Sequence, residues 1–137
     1  MMYRFLEAEL VKLDLPRKRV RREVWGELTD VTTRLDFPPE AVDKTFRMKV
    51  KMQGVVREIP ARATETVLVA MERANLASPS LCRSGECGYC RSLLLGGDVF
   101  IAPESDDRRA ADRELGYIHP CSAYPLSDLE IETPGEA

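Results

Sequence analysis

The chain has 137 residues, 44% of them hydrophobic and 31% charged, with a net charge of −3. That length suits one ordinary domain plus an appendage, the apolar share supports a packed core and excludes wholesale disorder, and the mild negative charge excludes a general pull toward nucleic acid. The charge is uneven: nine acids face three arginines from Pro103 to Ala137, while five of the seven residues from Pro16 to Arg22 are basic, so the two ends suit different partners or each other.

The start, Met1-Met2-Tyr3-Arg4-Phe5-Leu6-Glu7, lacks the unbroken apolar run of a secretory signal, and no stretch has the apolar length that spans a bilayer. A cytoplasmic location away from membranes is expected. In that reducing compartment four cysteines read as metal ligands or reactive thiols before they read as disulfides.

In chain order, residues 1–15 carry Phe5, Leu6, Leu10 and Leu13 near helical spacing, and Pro16 stops the pattern. Arg19 to Trp25 reads as a short strand, and Gly26 to Val42, without a period, as a linker. From Thr45, Phe46, Met48, Val50 and Met52 alternate with Arg47, Lys49 and Lys51, a strand with one dry and one basic face. Gln53-Gly54 turns it into a second strand, Val55 to Ile59. Thr64 or Thr66 caps a helix whose buried stripe is Val67, Leu68, Met71, Ala74 and Leu76. Leu93 to Leu95 and Val99 to Ile101 flank Gly96-Gly97-Asp98 and predict a small hairpin. Asp106 to Leu115 predicts a short exposed helix closed by Gly116, and Tyr117 to Ala123 and Leu129 to Glu132 the last strands. The sum is an α+β arrangement, rich in strand with one main helix. The expected division is an extension and linker over residues 1–42 and one domain over 43–137.

Cys82-Arg83-Ser84-Gly85-Glu86-Cys87-Gly88-Tyr89-Cys90 places three thiols in nine residues, and Cys121 follows after thirty more. This is the C-x4-C-x2-C…C spacing of plant-type [2Fe–2S] proteins. Two sulfide-bridged irons need four thiolates in two pairs. A tight loop can supply three, and a distant strand must bring the last. Gly85 and Gly88 tolerate the positive φ that such a loop needs and let its amides approach sulfur, where N–H groups offset negative charge. Ser84 offers a further hydroxyl donor.

Four other readings compete. Structural zinc prefers two knuckle-like pairs, against which stand the four-residue gap, the glycines and the lone distant cysteine. Disulfides lack a secretory context. A redox C-x-x-C at Cys87 and Cys90 should open a helix after a strand, not sit in a glycine-bearing loop beside a third cysteine. A Rieske centre needs two histidines, and the chain has only His119. His119 reads as a strand-end residue near the loop rather than a ligand, and Tyr89 and Tyr124 as packing aromatics rather than electron conduits. The basic run Arg17 to Arg22 has no interleaved aromatics and is not read as a nucleic-acid site.

On these residues the chain resembles the plant-type ferredoxins from about Thr45 to Thr133. The likeness includes the helix Thr66-Val67-Leu68-Val69-Ala70-Met71-Glu72-Arg73-Ala74 and the closing Pro120-Cys121-Ser122-Ala123-Tyr124-Pro125. The resemblance implies a β-grasp fold, a mixed sheet on one main helix. It also implies that Cys82 and Cys87 hold one iron and Cys90 and Cys121 the other, with Arg83, Ser84, Gly85 and Gly88 lining the cluster. Within the family the chain is similar to the ferredoxin domains at the C-terminus of flavoprotein oxygenase reductases, phthalate dioxygenase reductase among them. Met2 to Gly26 looks like the last helix and strand of such a reductase's nicotinamide domain.

No G-x-G-x-x-G occurs, so one [2Fe–2S] cluster is expected in this chain and neither flavin nor NAD. A cluster so ligated carries one electron at a potential of roughly −400 mV and suits the step from a two-electron flavin to a one-electron acceptor. The chain is then a carrier without bond chemistry of its own. It serves as the iron–sulfur subunit beside a flavoprotein reductase and a terminal acceptor protein, with neither nucleic acid nor membrane as partner. Either the gene is split and Met1 to Trp25 docks onto the flavoprotein, or the chain is a truncated product. The alternative is a free ferredoxin with several clients. The docking face is expected around Arg83, Ser84, Glu86 and the acidic C-terminal region.

Overall fold

The structure is a computed structural model and describes residues 9–13, 30–76 and 78–134. The helix expected over residues 1–15 and the strand from Arg19 to Trp25 lie outside these, apart from one helical turn in which the Lys12 amide donates to the Glu9 carbonyl. The basic run from Arg17 to Arg22 also lies outside them.

The alternating segment forms β1 (Thr45–Met52) and returns as β2 (Val55–Arg62), with Thr45 opposite Arg62 and Met52 opposite Val55. Gln53 and Gly54 both take positive φ, 50° and 81°, the pair that a tight turn twisted with the strands requires. Met48 and Val50 are buried while Arg47 and Lys49 are exposed, as the period of two demands. Helix α1 (Val67–Arg73) is capped by Thr66, whose hydroxyl accepts from the Val69 amide at 3.2 Å. Its Val67, Leu68, Ala70 and Met71 are buried. Thr66→Ala removes the partner of that amide and is expected to cost about 1 kcal/mol, read as a lower urea midpoint at an unchanged slope.

Five more strands follow: β3 (Ser92–Gly96), β4 (Val99–Ile101), β5 (Tyr117–Ile118), β6 (Ala123–Pro125) and β7 (Leu129–Thr133). The main sheet runs β2-β1-β7-β3-β5, with β7 parallel to β1 and antiparallel to β3. Its inner face meets α1 in a core of Met48, Val50, Ala61, Val67, Met71, Ile118, Leu129 and Ile131, all buried. Each large apolar side chain so buried contributes roughly 1.5–3 kcal/mol. The expected α+β fold, a mixed sheet on one main helix, is what the chain adopts. Among the described residues no helix is long and apolar enough to cross a membrane.

Four local expectations need correction. Leu93–Leu95 and Val99–Ile101 do not pair as a hairpin: β3 goes to β5 and β7, whereas β4 pairs with β6 in a separate two-stranded sheet. The turn between them is held from outside, where the Asp98 amide donates to Ser127 Oγ at 2.8 Å and its carbonyl accepts from the Leu126 amide at 2.9 Å. The helix expected from Asp106 shrinks to α2 (Ala110–Glu114), because the Asp106 carboxylate grips Arg108 at 2.7 and 2.9 Å in an extended approach. The single strand expected from Tyr117 to Ala123 is split into β5 and β6 by a turn that the Ser122 amide closes on the His119 carbonyl. Pro120 in that turn has no N–H to offer a ladder.

The stretch read as a linker is packed where it is described. Asp30–Val42 forms two short 3-10 turns that bury Val31, Phe37 and Ala41 against Ala63 and Tyr124. The Phe37 ring meets Phe100 edge-on at 5.2 Å and Tyr124 at 6.4 Å, which makes a second small core under the β4–β6 sheet. The acidic C-terminal region also finds a partner within the chain. In the parallel register Lys49 and Lys51 stand beside Glu130 and Glu132, and Arg47 forks onto Asp128 at 2.8 and 3.1 Å. These pairs are exposed and add little to stability.

Candidate metal centre

The loop that carries Cys82, Cys87 and Cys90 runs without regular structure between α1 and β3, and Cys121 enters on the turn between β5 and β6. The turn is fastened to the helix, since its Pro120 carbonyl accepts the Leu68 amide at 3.0 Å. Leu68, Cys90 and Cys121 form a small apolar cluster beneath the loop. All four cysteines are free thiols; Cys82, Cys90 and Cys121 are buried and Cys87 is exposed.

The loop turns its donors onto sulfur. The amides of Ser84 and Cys87 both donate to Cys82 Sγ at 3.4 Å, and the Tyr89 amide donates to Cys87 Sγ at 3.4 Å. Burial pushes the Cys82 thiol up, but the hydroxyl and amide of Ser84 and the amide of Cys87 outweigh it and hold the thiol down at about 6. Cys90 Sγ lies 3.4 Å from Cys121 Sγ. Their hydrogen bond lowers Cys90 and raises Cys121, so the two thiols titrate as a pair.

The backbone needed for this is held from several sides. Arg83 takes a positive φ of 58°, a costly conformation for a non-glycine residue, and its guanidinium forks onto Glu72 of α1 at 2.5 and 2.9 Å. Gly85 has φ 87° and is buried so tightly that an added Cβ would strike the Ser105 carbonyl oxygen. Gly88 lies against the His119 ring.

The structure thus brings Cys82, Cys87, Arg83, Ser84, Gly85, Gly88 and Cys90 into one loop, with Cys121 against Cys90. Tyr89 stands 61% exposed at the loop surface, whereas Tyr124 is buried in the second core with Phe37. His119 is more than the strand-end residue expected from its position: it is buried, and its Nδ1 lies 2.6 Å from the Gly85 carbonyl. A lone histidine two residues before the fourth cysteine was the available signal.

The donor set fits a [2Fe–2S] cluster. Four thiols and inward-turned amides are what two bridged irons require. Among the described residues no three His, Cys, Asp or Glu side chains form a group that could hold a single metal ion.

Comparison with known proteins agrees with this chemistry. The family model described as the 2Fe-2S iron-sulfur cluster binding domain matches residues 50–126. The ferredoxin reductase component of 3-ketosteroid-9-alpha-monooxygenase from Rhodococcus rhodochrous is 31% identical over 123 residues, which span 86% of this chain and 35% of that protein. Ferredoxin-2 from a Synechococcus strain is 33% identical over 92 residues, 67% of this chain and 87% of that protein. Among solved structures, the ferredoxin reductase in carbazole 1,9a-dioxygenase superposes with a TM-score of 0.58 at 26% identity, covering 68% of this chain and 29% of that one. The chain therefore spans about a third of the reductases it matches and most of a free ferredoxin. Fold, donor set and family model converge: the chain belongs to the 2Fe–2S iron–sulfur cluster binding domains and binds one [2Fe–2S] cluster.

Proposed function

We propose that Cys82, Cys87, Cys90 and Cys121 hold the cluster and that the chain passes single electrons between a flavoprotein reductase and an oxygenase-type acceptor. The cluster supplies a one-electron carrier; the chain's own residues tune and expose it. The amides of Ser84, Cys87 and Tyr89 lower the cost of negative charge on sulfur, burial of Cys90 and Cys121 keeps water off one side, and exposed Cys87 and Tyr89 give the other side access to a partner.

The observation that carries the reductase reading is the reach of the Rhodococcus match. Its 123 residues extend far beyond residues 50–126 into the N-terminal segment, a region for which a free ferredoxin needs no counterpart. The free-carrier reading keeps one point in its favour, the near-full coverage of the Synechococcus Ferredoxin-2.

The test mixes the anaerobic holoprotein with NADH and a catalytic amount of an oxygenase reductase flavoprotein stripped of its own iron–sulfur domain. NADH alone is expected to leave the visible absorption unchanged, and addition of the flavoprotein to bleach it with uptake of one electron per chain, more slowly as salt rises. Bleaching by NADH alone, or uptake of two electrons, would contradict the proposal.

A further inference from the structure

The ligand assignment leaves one buried polar side chain at the site without a task. His119 is 3% exposed, and its Nδ1 lies 2.6 Å from the Gly85 carbonyl oxygen. A carbonyl only accepts, so Nδ1 carries the proton and donates. The other side of the ring faces the loop a second time, with Nε2 3.3 Å from where a Cβ on Gly88 would stand. One imidazole therefore braces both glycines of the cysteine loop.

On either side of Gly85 the loop turns an amide onto one sulfur, since the Ser84 and Cys87 amides both donate to Cys82 Sγ at 3.4 Å. The Gly85 carbonyl that goes to His119 lies between those two donors. Glycine has no side chain to resist rotation at its own φ and ψ, so the directions of the flanking N–H groups depend on what holds its carbonyl. The peptide plane carries the same constraint forward to the Glu86 amide.

We infer that His119 is a positioning residue of the cluster site: by donating from Nδ1 to the Gly85 carbonyl it locks the loop in the conformation that aims the Ser84 and Cys87 N–H groups at the Cys82 sulfur. The inference rests on Cys82 being a ligand, as proposed above. N–H donors at ligand sulfur stabilise the more negative, reduced state. Without the lock those two donors turn away from the sulfur, the reduction potential falls, and the loop opens to chelators.

The experiment compares the full-length holoprotein with H119L, H119N and H119Q. Asparagine places an amide N–H near the position of Nδ1, and glutamine near that of Nε2. Readouts are iron and sulfide content, the reduction potential, and the rate of bleaching in excess EDTA under anaerobic conditions. H119L is expected to lose its cluster roughly tenfold faster, the ratio that one buried hydrogen bond sustains, and to show a more negative potential. H119N is expected to restore both quantities, and H119Q neither. If H119L takes up no cluster at all, the comparison of H119N with H119Q decides, and glutamine equalling or surpassing asparagine overturns the inference. So does an H119L protein with wild-type potential, whatever its rate of loss, because the ring then only fills space. A wild-type chain that takes up no iron and sulfide would instead overturn the ligand assignment, and this inference with it.

Discussion

Cys121→Ala is expected to yield a folded but colourless protein. The side chain is buried against Leu68 and Cys90, so removing one sulfur atom leaves a small void that costs the apo fold about 1 kcal/mol. The consequence for the cluster is far larger. In the ligand set proposed above, three thiols on one loop cannot close a two-iron cage, and the fourth comes from the turn that Pro120 ties to α1. Iron and sulfide content of the anaerobically purified variant, together with visible absorption and far-ultraviolet circular dichroism, checks this. Retention of full iron and colour would remove Cys121 from the ligand set. The same loss is expected for Cys87→Ala, and there it is cleaner, because Cys87 is exposed and packs little.

Gly85→Ala is expected to disable the site by a different route, leaving every thiol in place. At φ 87° an alanine is strained in any surroundings. Here the added methyl would also strike the Ser105 carbonyl oxygen and stand 2.9 Å from Ser122 Oγ, with His119 already fixed on the residue's own carbonyl. Backbone cannot yield as a flexible side-chain tip can. The expected cost is roughly 2–4 kcal/mol, visible as a lower denaturant midpoint of the apoprotein, with cluster content well under one per chain. An alanine variant with wild-type stability and full loading would show that the loop adapts, contrary to the packing described here.

These two sites also show which parts of the molecule could be read from its residues alone. The cysteine spacing is local in three of its four members, and the chemistry of a two-iron cage demands a distant fourth, so the ligand candidates stood out at once. The β1–β2 hairpin and α1 were equally legible: Met48 and Val50 alternate with charge, and Val67, Leu68 and Met71 fall on one helical face below a capping threonine. What failed was pairing between remote segments. Leu93–Leu95 and Val99–Ile101 have the outline of a hairpin, but β3 gains more by sitting between β7 and β5, where Leu94 lies opposite Ile131 over the core. Residues 30–42 showed no period because they bury Val31, Phe37 and Ala41 through irregular turns, each side chain finding its own gap beside Tyr124. Sequence position puts His119 near the loop without showing the bond to it, for a related reason: its partner is a backbone carbonyl 34 positions away, and a backbone carbonyl leaves no mark in a sequence.

The two regions of opposite charge illustrate the same limit. Composition sets an acidic C-terminal region against the basic run near Pro16, which lies outside the described residues; within them, the acids at β7 meet the outward face of β1. Asp128 takes both the amide and the guanidinium of Arg47, which pins the entry to β7 beside the edge of β1. Asp128 and Glu132 are thereby matched within the chain, and under the function proposed above the exposed surface around Cys87, Tyr89 and Glu86 is where a redox partner would approach.

Native mass spectrometry of the anaerobically purified chain tests the central claim most directly. The account predicts a single holo species heavier than the apoprotein by two irons and two sulfides, and loss of that added mass in the Cys121→Ala protein. A native species carrying zinc, or an apoprotein that stays at its apo mass after incubation with iron and sulfide, would contradict it.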